Sequence, residues 1–456
     1  MTSTRMASTR AQELIKKESA HLFRTFGVVG RTPKVICDHA KGVKLWDVDG
    51  KEYIDMSSGR FQYLNLGWGR RELIDAAYEQ LQKMAHMVTA DAFSSELAIE
   101  YAAELANILP GDINHVIFTN AGTDSTEGAI KTAKMYWHLQ GQAGKYKVLC
   151  LSDAYHGASH FAASLMGGSF GRSPFGFESS GIVRIPYYHC YRCPFDLEYP
   201  SCNMLCARMV ERIIIQEGEE TIACMIAEPI QGYGGGYIWP QDEYWPMVRK
   251  ICTDHNVLLI TDEVQNGFCR TGRFWGVDNW NIVPDLMTMG KGINSNYLPL
   301  GAIGVSDKVY NGLTGHVFMY GATSHGNPVA LATGRAALKI YVEEKLADRA
   351  ARLGEHIHER LVKEFLPLPC VDDIMGRGLY QSIAIALNKT TGSKFNQEAQ
   401  DKAGEAIDNR LLEKGVIMRV EHGRRVAITP PLVIGEDELD KALDIFLEVM
   451  KGVKPV

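Results

Sequence analysis

Two short stretches carry the residues best suited to chemistry. One is the apolar run Val257–Thr261 followed by Asp262 and Glu263; the other is Asp285–Met289 followed by Gly290-Lys291-Gly292. Continuous apolar runs of this length are the mark of strands buried on both faces. The first delivers a carboxylate at its tip, and burying that charge without a cationic partner is costly. The second delivers an amine between two glycines, where other groups can approach the backbone closely. Taken singly, these residues read as a capping aspartate and a surface lysine. With Gln265 and the loop Gly267–Gly272 between them, they point to an amine that makes a Schiff base and a carboxylate that faces a cofactor cation.

Three further strand tips supply polar groups. Ala223–Ala227 runs into Glu228-Pro229, which reads either as a solvated acid or as a functional one. His115–Thr119 is followed by Asn120-Ala-Gly-Thr-Asp124 and a helical run to about Gln140. A glycine-containing turn that enters a helix presents N–H groups with the positive end of the dipole behind them, which suits a phosphate. Lys147–Leu151 leads into Asp153-Ala-Tyr155-His156-Gly157, and Val264 lies two residues past Asp262, on the same side of a strand. His156 is read as a hydrogen-bonded neighbour rather than a general base, because Lys291 fills that role.

The elements that must position these groups alternate strand and helix through the middle of the chain. Before them, Gly42–Gly50 and Lys51–Met56 alternate apolar and polar residues about an Asp-Gly turn, a hairpin. The segment SSGRFQYLNLGWG follows, then helical spacing over Glu72–Met84 and Ser94–Leu109. After Pro328 the predicted helices are Val329–Arg349, Glu355–Lys363 and Glu436–Lys451, with strands at 379–387, Gly415–Arg419 and Arg425–Thr429. Mixed strands and helices at this end read as a separate α+β unit.

Composition limits the function classes. The 456 residues include 46% hydrophobic and 22% charged residues, ordinary for a globular chain. A net charge of −6 argues against a generic polyanion binder, so no nucleic-acid partner is expected. No apolar run spans a membrane, and the N-terminal MTSTRMASTRAQELIKK lacks the apolar core of a secretory signal; a cytoplasmic location is expected. Of ten cysteines, Cys190, Cys193, Cys202 and Cys206 are close in sequence. Zinc binding, disulfides and plain semi-buried thiols are all open there, and no metal is the expectation.

DEVQNGFCRTG followed by MGKG resembles the core of the class III aminotransferases, the omega-amino members that use pyridoxal 5′-phosphate, and the likeness runs from about Gly42 to the C-terminal helix. It implies an α/β fold of type I: a large, mostly parallel sheet domain with a small α+β domain built from both termini. On this chain the parts are 1–60, 61–328 and 329–456. The resemblance makes Lys291 the Schiff-base lysine, Asp262 the partner of the pyridinium nitrogen and Glu228 a substrate-side acid. It places Gly122 and Thr123 at the phosphate, Tyr155 and Val264 on the two faces of the ring, and Gln265 at the phenolic oxygen. Thr323, in Gly321–Pro328, would serve the phosphate of a neighbouring subunit in a homodimer or homotetramer. Arg419 matches an arginine that receives substrate carboxylates, and Phe61 and Tyr63 are pocket candidates.

The implied reaction moves an amino group from an amine or omega-amino acid to a keto acid, pyruvate or 2-oxoglutarate, in two half-reactions. The same lysine and scaffold would also serve an amino-acid racemase or epimerase, or a dialkylglycine-type decarboxylase. A non-enzymatic regulator or metal-binding scaffold is disfavoured, because none of the cofactor residues is missing.

Overall fold

The computed structural model describes residues 8–167, 175, 179–232, 236–386, 397–421 and 424–453. Strands β1 (Cys37–Lys41), β2 (Lys44–Asp47) and β3 (Glu52–Asp55) come first. The middle holds β4 (Ile113–Thr119), β5 (Lys147–Leu151), β6 (Ile182–Ile185), β7 (Ile222–Ala227), β8 (Leu258–Asp262), β9 (Leu286–Met289) and β10 (Gly301–Ser306). The last are β11 (Val371–Arg377), β12 (Tyr380–Ile385), β13 (Val416–Ile417), β14 (Arg419–Glu421) and β15 (Arg425–Ile428).

The seven middle strands form one sheet in the order β4-β10-β9-β8-β7-β5-β6. Neighbours from β9 to β6 are parallel, whereas β10 runs antiparallel to both β4 and β9. Every residue of β7, β8, β9 and β10 is buried, which is why the first three show as unbroken apolar runs in the sequence. Strand β10 was not legible there, because Gly301 and Gly304 weaken a strand signal. Both glycines are required by packing. A Cβ on Gly304 would lie 2.7 Å from Ile113, and one on Gly301 would lie 2.5 Å from Thr119.

The helix Gly122–Leu139 packs on β9 and β10 through a face that includes Ala129, Ala133 and Trp137. Trp137 Nε1 donates to the Ala223 carbonyl at 2.8 Å, pinning the helix to β7. Two smaller sheets stand beside the large one. The first has the order β1-β2-β3-β13, so segments from both ends of the chain build it. Its β2–β3 pair is the predicted hairpin, with Gly50 at φ +78° in the turn. The second is the antiparallel β11-β12-β15-β14.

The predicted single helix Val329–Arg349 is a correction. The structure has Pro328–Glu343 and Leu346–Arg360, separated at Lys345 in a left-handed conformation (φ +49°). Apolar spacing runs on across the break, and a non-glycine residue at positive φ leaves no signature. Expected positions 387 and 1–7 lie outside the described residues. Among the described residues, no helix is long and apolar enough to cross a membrane.

Candidate active site

The C-terminal tips of β7, β8 and β9 and the turn after β4 surround a cavity of about 210 Å³. Tyr63, Gly122, Thr123, Tyr155, Glu228, Asp262, Val264, Gln265 and Lys291 line it, together with His156. A wider hollow of about 810 Å³ adjoins it and shares Tyr63; Phe26, Lys34 and Arg60 are on its wall. Of the residues singled out from sequence, Phe61, Thr323 and Arg419 do not line the inner cavity.

Charge is concentrated at the strand tips. Asp262 is 3% exposed, and its Oδ1 accepts from Thr288 Oγ1 and the Val264 N–H, both at 3.0 Å. Its Oδ2 lies 2.7 Å from His156 Nδ1. Burial alone would lower the His156 pKa, but the bond and charge of Asp262 raise it. Glu228 accepts the Tyr155 N–H at 3.3 Å and the Gly232 N–H at 3.2 Å, and burial pushes it up to about 7. Lys291 sits just after β9 at φ +40°, a backbone strain of the kind held at functional sites. Burial pushes its amine down to about 8 against the pull of Asp262 and Glu228.

The turn after β4 is cleared of bulk. A Cβ on Gly122 would lie 2.6 Å from Val264, and one on Gly157 would lie 2.5 Å from Thr123 Oγ1. The helix that begins at Gly122 has no side-chain cap at Ala121, and Ala121, Gly122 and Thr123 line the cavity, so first-turn N–H groups are available to an anion there. Anion donors at this helix end, a carboxylate for a ring cation and an amine on the cavity wall for an aldehyde together fit pyridoxal 5′-phosphate.

His325 reaches the same turn from the other side. Its Nε2 lies 2.6 Å from Asp124 Oδ2, and the Tyr320 hydroxyl donates to Asp124 Oδ1 at 2.5 Å. Burial would raise the Asp124 carboxyl, but these bonds and the Asn120 N–H hold it down to about 2. The pair ties the loop that carries Thr323 to the helix, and Thr323 itself is exposed.

A second group of residues was missed by sequence reading: Gln62, Tyr237, Tyr380 and Glu421. The turn after β3 has positive φ at Ser58, Gly59, Arg60 and Gln62, and Asp55 braces it by accepting the Ser57 N–H at 2.8 Å and the Gly59 N–H at 2.7 Å. This backbone turns Gln62 inward (2% exposed) and leaves Phe61 40% exposed. The Phe61 ring packs beneath the Arg419 guanidinium, 4.5 Å from the ring centroid. Arg419 Nε lies 3.0 Å from Glu421 Oε1, and its Nη1 donates to the Arg60 carbonyl at 2.9 Å. Burial pushes Glu421 up to about 7, with Arg419 opposing. Alternating positive φ at non-glycine residues has no sequence signal, so only the adjacency of Gln62 to Phe61 and Tyr63 could have suggested it.

Cys190, Cys193, Cys202 and Cys206 line a separate cavity of about 30 Å³ and are all free thiols. Gln241 Nε2 donates to Cys190 Sγ at 3.4 Å, and burial raises Cys206 to about 11. Among the described residues, no group of three or more His, Cys, Asp and Glu is placed to hold a metal ion.

Comparison with known proteins gives a consistent picture. The chain is 31% identical over 443 residues to a putrescine–pyruvate aminotransferase of Pseudomonas aeruginosa, covering 96% of this chain and 95% of the relative. An (S)-enantioselective omega-transaminase from Thermomicrobium roseum superposes with a TM-score of 0.92 at 35% identity, covering 97% and 98% of the two chains. An omega-transaminase from Pseudomonas jessenii, solved in complex with PMP, superposes with a TM-score of 0.91 at 29% identity, covering 96% and 98%. The family description "Aminotransferase class-III" matches residues 27–450, and the chain belongs to that family.

Proposed function

We infer that this chain takes a primary amine or omega-amino acid as donor and pyruvate or 2-oxoglutarate as acceptor, in two half-reactions at the Lys291 cavity. The carrying observation is that Lys291, Asp262 and the glycine-cleared helix end at Gly122 line one cavity. Class III aminotransferases use pyridoxal 5′-phosphate, which when bound supplies an electron sink for the carbanion left when a proton leaves the donor's α-carbon.

The protein's own residues do the rest. Asp262, held by Thr288, Val264 and His156, would set its carboxylate against the ring nitrogen and favour that nitrogen's protonated form. Lys291 Nζ, with its pKa lowered by burial, is a nucleophile near neutral pH and then takes and returns the α-proton. With the cofactor bound, Tyr155 and Val264 would flank the ring, the N–H groups at Gly122 and Thr123 would hold the phosphate, and one amide hydrogen of Gln265 would be available to the phenolic oxygen. Glu228 borders the substrate side, beside Tyr63. Arg419 receives the acid's carboxylate, with Phe61 beneath it.

The same reading makes the active unit a dimer or a multiple of one, with Thr323 serving the partner's phosphate. It divides the chain into 1–60, 61–328 and 329–456, supported by the sheet in which β13 joins β1–β3. A cytoplasmic location fits this soluble-enzyme reading. The test is a donor-by-acceptor panel run as single turnovers, scored for carbonyl product and for racemised donor. Stoichiometric carbonyl product from an amine in the absence of any keto acid supports transamination. Racemised donor without carbonyl product favours the racemase alternative, and release of carbon dioxide the decarboxylase.

A further inference from the structure

We propose that Gln62 is a positioning residue that ties the cofactor-facing amide of Gln265 to the carboxylate-receiving Arg419, by way of Tyr237 and Glu421. The inference rests on the reading given above for the Lys291 cavity and adds a residue that neither motif nor family description assigns.

The bonds form one unbroken chain. The Tyr380 hydroxyl donates to Gln265 Oε1 at 3.0 Å, and Gln265 Nε2 donates to Gln62 Oε1 at 3.2 Å. Gln62 Nε2 donates to the Tyr237 hydroxyl at 3.0 Å, and that hydroxyl donates to Glu421 Oε1 at 3.2 Å. The same Glu421 oxygen lies 3.0 Å from Arg419 Nε. Only one orientation of the Gln62 amide serves both neighbours, accepting from Gln265 and donating to Tyr237. Reversing it would set two amide nitrogens against each other.

Burial makes this network consequential. Tyr237 and Tyr380 are fully buried, and Gln265 and Glu421 are under 9% exposed. In such surroundings a half-satisfied polar chain costs more than an apolar wall, so its members hold one another in place. The two ends face different tasks. Gln265 lines the inner cavity and has a second amide hydrogen left for a cofactor oxygen. Burial is the main cause that lowers the Lys291 pKa, and the charge of Arg419 adds a smaller push in the same direction. The turn that presents Gln62 also presents the Arg60 carbonyl to Arg419, so one strained segment braces both ends.

A guanidinium that is loosely held must be ordered when it takes a carboxylate, which weakens binding. Gln62→Leu removes both middle bonds. It is expected to raise the keto-acid KM roughly three- to tenfold, slow a simple amine by a clearly smaller factor, and shift the pH midpoint of the bound cofactor's absorbance by roughly half a unit. Tyr237→Phe breaks only the distal half, so it should raise the keto-acid KM without the spectral shift. Gln62→Leu that moves neither readout overturns the proposal. So does an equal loss with amine and keto acid in both variants accompanied by a lowered Tm, which is the behaviour of a merely structural turn. A wild-type chain that takes up no pyridoxal phosphate would overturn the parent reading and this one together. Normal wild-type half-reactions with a silent Gln62→Leu would overturn this one alone.

Discussion

His156 Nδ1 stands 2.7 Å from Asp262 Oδ2, and the side chains are 0% and 4% exposed. The aspartate proposed to face the cofactor's ring nitrogen is therefore held by an imidazole at one oxygen, while its Oδ1 accepts from Thr288 and the Val264 N–H. Its negative charge is fixed in direction before any ligand arrives, the arrangement in which electrostatic stabilisation is strongest.

Asp262→Asn should leave pyridoxal phosphate bound, since the helix end at Gly122 and Lys291 are untouched, yet cripple α-proton removal. A lost interaction of this kind is worth about 2–4 kcal/mol, roughly thirty- to a thousandfold in rate. Single-turnover rates with an amine measure it. A variant within about threefold of wild type, against that expectation, would contradict the assignment.

Lys291→Ala should abolish the long-wavelength absorbance of lysine-bound cofactor and steady-state turnover together. Lys291 is half-buried on the cavity wall with its amine shifted down to about 8, and among the described residues no other lysine lines that cavity to substitute for it. Added small amines should restore a fraction of the proton transfer. Full turnover without them would remove Lys291 from the mechanism.

Stability should fall as pH rises from about 5 to 8 in the cofactor-free protein. Glu263 accepts the Gly276 N–H at 2.8 Å and the Val277 N–H at 2.9 Å, and burial raises it from 4.5 to about 8. Glu228 and Glu421 are likewise pushed up to about 7. A raised carboxylate pKa means that the folded chain keeps a proton the unfolded chain has released. The resulting stabilisation is present below the unfolded value and disappears as pH passes the folded one. Urea midpoints at both ends of this range test the sign. Glu263→Gln cannot titrate there and should show a shallower fall; an identical slope would dismiss Glu263 as a contributor.

The active species should sediment as a dimer or a multiple of one. Thr323 lies exposed on a loop whose Val317 and Met319 are 79% and 82% exposed, apolar side chains that a neighbouring subunit would cover. His325 and Tyr320 hold the foot of that loop on Asp124. An active monomer at assay concentration would remove Thr323 from the partner's site.

The inner half of this site was legible because buried parallel strands advertise themselves. Apolar runs end at Glu228, Asp262 and Lys291, and the sheet brings those ends to one cavity. The outer half was not, because its geometry depends on backbone that sequence does not encode. Positive φ at Ser58, Arg60 and Gln62 decides that Gln62, not Phe61, turns inward. Glu421 follows Arg419 by two residues on β14, a short strand whose pairing with β15 decides where its side chains point. His156 was read as a hydrogen-bonded neighbour, and the bond is there, but its partner was not legible, since nothing in Asp153–Gly157 announces a bond to a residue more than a hundred positions away.

Arg419→Ala should separate the two half-reactions. When the donor is a simple amine, only the keto acid brings a carboxylate, so only that partner loses an ion pair when the guanidinium is removed. Truncating one member of a desolvated pair of this type costs about 2–5 kcal/mol, so kcat/KM for pyruvate or 2-oxoglutarate should fall roughly thirty- to several thousandfold. A simple amine should react with the cofactor-loaded enzyme at nearly the original rate. The structure adds a complication that the measurement must handle. Arg419 also offsets the buried charge of Glu421, which burial already pushes up to about 7, and without the cation that carboxyl will bind a proton more readily still. Arg419→Ala paired with Glu421→Gln removes the stranded acid and leaves only the missing guanidinium. If the double variant keeps the keto-acid defect and spares the amine, Arg419 is the carboxylate receiver. If the double variant recovers the keto acid, the single defect came from the stranded Glu421, and Arg425, which is buried nearby and 3.4 Å from Ser382 Oγ, becomes the residue to test.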